Sequence, residues 1–427
     1  MKPGDPPETR LDRCHDSVVP RLSEPFALRE FRGLWLARGL SLMGDQLARV
    51  ALAVLVFHRT GSPAWTAFVY ALTYLPYLAG PIFAGIADRR SRRSVMIALD
   101  LVRGVLVVAM ALPGVPLAVM GVLLAVATAL SPVYDAARSA TLPDVMSKSL
   151  YPTGLAVFTI TTEAAQVIGF AVGGLLVSLT GARLALALDG LTYIASALLV
   201  MVAVVNRAAP MAPRAQRMRE SLRIASRFVF GSQFLRALLA LAWLNALWMV
   251  PEGLAAPYAA QVHAGAVGVG VLLAAIPFGC VIGAALVSRF AEHERRLRLM
   301  RPLAALAAAP LVVCFAHPGL VVSVLLWMLC GVGTAYNVPA NSGFVQALPT
   351  ERRAQAIALV TTGMVLGQGL AVLAGGALAD VWNPASVVAA TGVVALAVVG
   401  VLWRTWLRAP AVIDLSAEVQ VAEPAVS

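Results

Sequence analysis

The chain has 427 residues, of which 59% are hydrophobic and only 13% are charged. Soluble globular proteins carry about 25% charged residues, so this composition excludes a water-soluble fold and indicates a protein with many membrane spans. The net charge of +11 is also compatible with nucleic-acid binding. The positions of the basic residues decide between a nucleic-acid-binding protein and a membrane protein. Four cysteines without CxxC spacing argue against a disulfide framework or a zinc site, and we expect no metal and no cofactor.

Apolar stretches of about 20 residues, long enough to cross the hydrocarbon core, recur along the chain. The stretch before the first of them is polar and holds acids, prolines and arginines, which predicts a cytoplasmic tail and not a cleavable signal peptide. Internal prolines do not exclude a span, because membrane bundles satisfy the freed backbone groups. The predicted spans 1 to 12 are 34–57, 64–87, 94–112, 116–137, 153–179, 184–205, 236–260, 268–290, 299–316, 319–341, 355–379 and 384–406.

The basic residues cluster on one side of this arrangement. With the N-terminus inside, only Arg59 and Arg183 of the 33 lysines and arginines fall outside, while Arg49 and Arg103 lie within spans. This asymmetry is the positive-inside pattern, so the basic excess reflects membrane topology and not nucleic-acid binding. We expect a multi-pass inner (plasma) membrane protein with both termini in the cytoplasm, surrounded by the lipid bilayer and monomeric.

The two sets of six spans carry related segments. Leu142-Pro143 after span 4 corresponds to Leu348-Pro349 after span 10, and Gly173-Gly174 corresponds to Gly375-Gly376. Such parallel repeats occur in transporters, whose substrate site lies between the halves. We therefore predict a tail at 1–33, a six-helix bundle at 34–205, a basic linker with an amphipathic helix at 206–235, a second bundle at 236–406 and a tail at 407–427.

The loop between spans 2 and 3 reads "AGIADRRSRR" from Ala84 to Arg93. With twelve spans in two halves, this segment resembles the loop signature of the major facilitator superfamily, G-x-L-A-D-R-x-G-R-R. Ala84 and Ser91 stand where that family has glycine. The resemblance covers about residues 30 to 408 and implies an all-α membrane protein of two pseudo-symmetric six-helix bundles. The first span, "FRGLWLARGLSLMGDQLARVALAVLVFHRTGSP", further resembles the bacterial siderophore and macrolide exporter branch.

The resemblance assigns a cytoplasmic gate to this loop. Asp88 is expected to accept hydrogen bonds from neighbouring arginines and to face the N-terminus of span 11, where an acid is favoured. It would then hold the inner ends of the halves together, whereas the alternative is a plain positive-inside anchor. The predicted gate residues are Asp88, Arg89, Arg92, Arg93 and Arg138.

Ionisable residues within spans are costly and usually functional. Asp45 and Arg49 are four residues apart on span 1 and form either a neutral intrahelical pair or a proton-titrating site. Glu163 in span 5 has no basic partner nearby in sequence. Burial disfavours its charged form, which suits a proton carrier, although a permanently neutral structural residue is the alternative. Glu252 in span 7 is a further candidate for proton coupling.

Other residues could line a substrate cavity or pack the helices. Ligand sites are mostly apolar with a few placed polar groups. The cavity candidates are Gln166, Phe170, Tyr74, Asn245, Trp248 and Gln368. Close packing by small residues is predicted at Gly169, Gly173, Gly174, Gly375 and Gly376. Those of span 5 also resemble the family's antiporter signature, with Phe170 in place of a proline.

These features predict a secondary active transporter. The leading hypothesis is proton-coupled export of a small amphiphilic molecule (a drug, siderophore or secondary metabolite) by alternating access. An importer or facilitator on the same fold is the alternative, and a receptor or structural protein a remote one. An enzyme is not expected, since HExxH and GxSxG motifs are absent and the histidines map to loops and helix ends.

Overall fold

A computed structural model describes residues 21–79, 90–207, 226–290 and 293–407, and these ranges are helical, without a strand. Each of the first six helices begins within a few residues of the start of a predicted span. Gly61 ends α1 in the left-handed conformation with φ 63°. Ser62 then caps α2 by accepting the N–H of Trp65. The helices of the N-terminal half are α1 (Arg29–Thr60), α2 (Pro63–Ala71), α3 (Arg92–Ala111), α4 (Leu117–Val145), α5 (Tyr151–Thr180) and α6 (Ala182–Ala203).

Helix α2 is followed by a 3-10 turn at Leu75–Ala79, and the rest of predicted span 2 lies outside the described residues. Helix α4 continues to Val145, well past the predicted end of span 4 at 137, despite Pro132 and Pro143 within it. The predicted spans 1 and 5 are also shorter than α1 and α5, because hydropathy follows the hydrocarbon core and not the polar helix ends.

The second half has more interruptions than the first. Predicted span 7 consists of three helices and predicted span 10 of two. Pro251 cannot donate to the carbonyl of Leu247, and Pro339 cannot donate to that of Ala335, so prolines stand at both breaks. The helices are α7 (Gln233–Leu244), α8 (Met249–Gly253), α9 (Ala255–Gln261), α10 (Gly265–Phe290), α11 (His293–Val312), α12 (Leu320–Gly333), α13 (Asn337–Gln346), α14 (Thr350–Val381) and α15 (Pro384–Leu407).

Within the described ranges, eleven helical segments are long and apolar enough to cross a membrane. Predicted span 2 is the one without a counterpart among these eleven, because the structure describes only α2 and the turn after it. Large apolar side chains point away from the protein: Leu179 is 72% exposed, Val321 72% and Val381 81%. Such side chains are suited to contact with lipid, so the fold is that of an all-α, multi-pass membrane protein.

The helices pack in two groups that meet along two seams. In the first half α1 packs on α5 and α6, and α3 on α4 and α6; in the second α10 packs on α12, and α11 on α12 and α15. Between the halves, α2 contacts α14 and α5 contacts α10. If span 2 corresponds to span 8 and span 5 to span 11, these two seams are equivalent, as expected of a repeated architecture.

The tails at 1–20 and 408–427 and the linker residues 208–225 lie outside the described ranges. Most of the predicted amphipathic linker helix is among them. The five-segment division of the chain therefore stays a prediction, although the described helices are compatible with its two bundles.

Candidate functional site

Asp45 lies near the middle of α1, but it does not pair with Arg49 as expected. Its Oδ1 lies 3.6 Å from Nη2 of Arg103 on α3 and accepts a hydrogen bond from the hydroxyl of Tyr193 on α6. Of the two alternatives for Asp45 and Arg49, the structure does not contain the intrahelical pair, because neighbouring helices supply closer partners than the next turn of α1. Asp45 keeps 26% of its side chain exposed, whereas that of Arg103 is 4% exposed.

Arg103 joins this acid to a second one. Its guanidinium stacks on the ring of Tyr193, 4.2 Å from the centroid, and also donates to the Tyr193 hydroxyl. Nη1 lies 4.0 Å from Oδ1 of Asp100, one turn earlier on α3. Asp100 is fully buried and accepts a 2.6 Å hydrogen bond from Ser196 on α6. The Asp100–Arg103 ion pair is therefore part of a larger network through α1, α3 and α6.

A second ion-pair group lies between α1 and α4. Arg38 Nη2 lies 3.1 Å from Asp135 Oδ1, and Arg138 Nη2 lies 3.7 Å from the same oxygen. The Arg138 guanidinium also covers the ring of Phe158 at 4.7 Å. Arg138, predicted to belong to the cytoplasmic gate, is thus engaged with Asp135 in this structure.

Arg49 belongs to a cluster that reaches across the two halves. Its guanidinium lies 5.3 Å from the ring centroid of Tyr74 and 6.0 Å from that of Tyr70. The Tyr70 hydroxyl donates a 2.7 Å hydrogen bond to Oε2 of Glu252 on α8. The Tyr74 hydroxyl lies 3.2 Å from Sδ of Met249 in the same helix. Two proton-coupling candidates, Arg49 and Glu252, therefore meet through tyrosines of α2 and of the turn after it.

A second polar contact joins the halves near the start of α2. Asp380, in the last turn of α14, accepts hydrogen bonds of 3.1 Å from the Ser62 hydroxyl and from the N–H of Ala64. These are the first groups of α2, where backbone N–H groups lack intrahelical partners and a negative charge is favoured. Gly376, one turn earlier, packs so closely on α2 that a Cβ there would lie 3.2 Å from Cα of Ala64. We call Ser62, Tyr70, Glu252 and Asp380 the interhalf clasp.

Glu163 on α5 has no such partner. It is partly exposed, and within the described part of the chain it makes no hydrogen bond or ion pair. Cys280 of α10, in the other half of the molecule, lies close enough to Glu163 to interact with it electrostatically. The sequence-based prediction of an acid without a basic partner therefore agrees with this placement.

The cavity candidates separate into two groups. Gln166 is partly exposed one turn after Glu163. Asn245 is also partly exposed and accepts a 3.4 Å hydrogen bond from Asn337. Tyr74 faces Arg49, as described above. By contrast Phe170, Trp248 and Gln368 are 0%, 0% and 7% exposed, so they pack in the protein and do not line an accessible cavity in this conformation.

The predicted packing glycines all lie at close helix contacts. An added Cβ at Gly169 would come within 2.9 Å of Gln46 and one at Gly173 within 3.2 Å of Leu47, both on α1. At Gly174 an added Cβ would lie 2.8 Å from the carbonyl oxygen of Ala266 and from Cα of Gly270, both on α10, so α5 and α10 cross almost backbone to backbone. Gly375 faces Val250 of α8, and Gly376 faces α2.

The gate motif is only partly described. Asp88 and Arg89 lie outside the described residues. Arg92 is bonded to Asp144 Oδ2 at 2.6 Å and to the carbonyl of Ala140, and Arg93 donates to the carbonyl of Met201. Both arginines therefore tie α3 to α4 and α6 within the first half.

Three side chains of the network and the clasp were not singled out by sequence reasoning. Asp189 on α6 is 1% exposed and lies against Gly44 of α1, where a Cβ would overlap its carboxylate. Tyr193 is 2% exposed and links Asp45 to Arg103. Asp380 belongs to the interhalf clasp. An acid within a span was the available signal for Asp189. Among the described residues, no group of His, Cys, Asp and Glu is arranged to hold a metal ion.

Comparison with known proteins fits this arrangement of two helical halves. The family model described as Major Facilitator Superfamily matches residues 34–346 and 253–424. The chain belongs to the major facilitator superfamily. The resemblance of the loop signature and the fold expected from it are thereby confirmed. No curated protein sequence matches this chain.

Solved structures of major facilitator and related transporters share the fold at low identity. A bacterial homolog of the human lysosomal transporter Spinster, inward-facing and unoccupied, has 16% identity and a TM-score of 0.68 over 90% of this chain and 98% of that one. A POT family transporter in complex with 5-aminolevulinic acid has 11% identity and a TM-score of 0.70, over 88% and 96%. The nucleoside transporter NupG has 14% identity and a TM-score of 0.65, over 88% and 98%.

The family and these neighbours define a transporter fold in a multi-pass membrane protein, and such a fold implies a small-molecule substrate. The similarity extends to the fold alone, because all three identities are far below the level at which substrates carry over.

Proposed function

We propose that this protein exports a small amphiphilic organic molecule across the plasma membrane in exchange for protons. In this proposal it is a monomer with both termini in the cytoplasm, as the basic residues of its loops favour. The observation that carries the proposal is the placement of Glu163. It is an acid without a partner, partly exposed on α5 and facing the other half of the molecule. Such acids within a membrane protein typically belong to substrate or proton pathways.

The interhalf clasp supports alternating access. With the N-terminus inside, the start of α2 and the end of α14 lie on the outer side, and the clasp joins the halves there. The close crossing of Gly174 and Gly270 lies on the same side. These contacts are suited to an inward-facing state, which is also the state named for the Spinster homolog. Outward opening then requires the clasp to break.

Two acids are suited to exchange protons with the cavity. Glu163 has no partner, and Asp45 is one-quarter exposed beside Arg103. In the proposed cycle, substrate enters from the cytoplasm while an acid is ionised. The halves then rock, the clasp opens, and protonation from outside lowers the affinity for the substrate. The protonated protein returns inward and releases its proton to the cytoplasm.

The charge distribution favours a neutral or cationic substrate. Arg49 is engaged with Tyr70 and Tyr74, and Arg103 with two aspartates, so neither is placed as an unpaired anion site. Glu163 by contrast offers an uncompensated negative charge whenever it is ionised. A lipophilic cation would satisfy that charge, whereas an anion would be repelled.

The cytoplasmic gate belongs to the other end of the cycle. We propose that Asp88 holds the inner ends together at the N-terminus of α14 when the protein faces outward. In this structure Arg92 and Arg93 bond within the first half.

Proteoliposomes test the function with ethidium, a fluorescent lipophilic cation, as the probe. We expect an imposed pH gradient to drive ethidium uphill and nigericin, which collapses the gradient, to stop it. Glu163→Gln should abolish the gradient-driven uptake while ethidium counterflow persists, because an amide cannot ionise. Wild-type uptake that is insensitive to nigericin would refute proton coupling. Gradient-driven uptake by Glu163→Gln would refute the role of this residue.

A further inference from the structure

The charged residues between α1, α3, α4 and α6 do not balance. The buried charge cluster comprises the acids Asp45, Asp100, Asp135 and Asp189 and the bases Arg38, Arg103 and Arg138. When every member is ionised, four carboxylates face three guanidinium groups, which leaves one negative charge. The neighbouring Arg49 and Glu252 add one base and one acid, so they do not change this excess. A single bound proton would make the cluster neutral, which is the state that a low-dielectric interior favours.

The geometry identifies which acid takes that proton. Asp45 and Asp100 each have Arg103 within 4.0 Å, and Asp135 has Arg38 at 3.1 Å. Asp189 has no arginine at ion-pair distance among the described residues, although it is 1% exposed. Its donor is the hydroxyl of Thr192, at 3.3 Å in its own helical turn. A carboxylate that is buried without a cationic partner is the most expensive member of the cluster to ionise.

The surroundings of Asp189 reinforce this assignment. Gly44 of α1 presents bare backbone to the carboxyl, and even a methyl group there would overlap Oδ1. The charged groups that face Asp189 are Asp45 of α1, which repels a negative charge, and Arg103 of α3, which attracts it. Arg103 is already committed to Asp45 and Asp100. On its own helix Asp189 has Thr192 and Tyr193 as polar neighbours.

A route to the cavity is also present. Tyr193 follows Asp189 by four residues on α6, which places both on one face of the helix. Its hydroxyl donates to Asp45, and Asp45 is the member of this group with 26% of its side chain exposed. The proton of Asp189 would pass to the Tyr193 hydroxyl as that hydroxyl gives its own proton to the Asp45 carboxylate, and Asp45 would then release a proton to water on its exposed side. Asp189 is left ionised, the cluster then carries one net negative charge, and Arg103 is the cation that faces Asp189.

We propose that Asp189 carries the proton of the buried charge cluster and that Asp45, through Tyr193, is the point where this proton exchanges with the cavity. The protonation itself is independent of transport. The assignment of this proton as the coupling proton rests on the proposed function. Glu163, partly exposed on α5, then carries one coupling proton, and Asp189 carries a second one at the α1–α6 contact.

Infrared difference spectroscopy of the full chain in nanodiscs tests the protonation without any substrate. We expect wild type at neutral pH to show the carbonyl band of a protonated carboxyl that shifts in heavy water. Asp189→Asn should remove this band, and Glu163→Gln, the same acid-to-amide change outside the cluster, should retain it. Absence of the band from wild type, or its persistence in Asp189→Asn, would overturn the proposal.

Tyr193→Phe keeps every charge and provides a variant for the exchange route. It should retain the carboxyl band and slow its exchange with heavy water, because the hydroxyl bridge to Asp45 is missing. An unchanged exchange rate would refute the route. This measurement also remains decisive if Asp189→Asn does not fold.

Ethidium transport separates this inference from the proposed function. Asp189→Asn should lose uptake driven by a pH gradient and retain counterflow. If wild type is driven by the gradient and Asp189→Asn is driven equally, the assignment of the coupling proton fails and the proposed function stands. If wild-type transport ignores the gradient, the proposed function fails, whatever the infrared band shows.

Discussion

Removal of one hydroxyl group from the interhalf clasp is expected to shift the protein towards its outward-facing state. Tyr70 is 3% exposed and Glu252 is 5% exposed, and the hydrogen bond between them is 2.7 Å long. Tyr70→Phe deletes this bond and leaves the Glu252 carboxyl buried without its donor. The ring that faces Arg49 is kept. In the outward-facing state Glu252 is accessible to water. The free-energy cost of the lost hydrogen bond therefore falls on the inward-facing state alone.

The magnitude follows from the chemistry of the bond. A hydrogen bond to a charged group contributes about 1.5–3 kcal/mol. That loss corresponds to a change of about 12- to 160-fold in the ratio of the two states. An outward-facing state populated at about 1% would rise to between about 10% and 60%.

Distances between spin labels on the outer ends of the two halves measure this shift. Cysteines at Leu112, after α3, and at Val321, in α12, are suitable sites because these side chains are 55% and 72% exposed. Tyr70→Phe should populate a longer distance than wild type. Tyr258→Phe is the matched control, since its buried hydroxyl bonds Ser323 within one half. A distance distribution of Tyr70→Phe identical to that of wild type would refute the clasp as a determinant of conformation.

Two further predictions concern stability and packing. Arg103→Gln leaves Asp45 and Asp100 without their cation and should lower the free energy of unfolding, measured by denaturation in detergent micelles, by about 3–5 kcal/mol. Arg59→Gln, at the outer end of α1, should change it little. Equal losses in the two variants would contradict the network. Gly174→Val forces apart the backbones of α5 and α10 and should cost about 1–3 kcal/mol in the same assay, while Gly400→Val, where nothing lies within 4 Å, should be neutral. Equal stability of the two valine variants would show that the crossing is not tight.

The overall fold could be predicted because it follows from hydropathy and from the positions of the arginines. The length of each apolar stretch is set by the bilayer, so the spans are visible in a single sequence. The interruptions of spans 7 and 10 were less visible, although Pro251 and Pro339 stand at them. In a membrane bundle a proline permits a break without requiring one, because neighbouring groups can satisfy the freed carbonyl.

The pairing of charges could not be predicted in the same way. Sequence spacing favours Asp45 with Arg49, but the preferred partner of Asp45 is on α3, 58 positions later in the chain. Such contacts depend on the rotation of each helix, which a hydropathy pattern defines only loosely. Asp189 was overlooked because it stands alone in an apolar run, and only the fold shows that Gly44 makes room for its carboxyl. Asp380 was overlooked because an acid at a helix end usually faces solvent.

Chemical accessibility of the cavity tests alternating access most directly. A cysteine at Gln166, in a background without the native cysteines, should react with a membrane-impermeant maleimide from the cytoplasmic side of wild-type vesicles and not from the outer side. In Tyr70→Phe the same cysteine should also become reactive from outside. Labelling of wild type from the outer side alone, or labelling of both proteins equally from both sides, would contradict a cavity that the two halves open in turn.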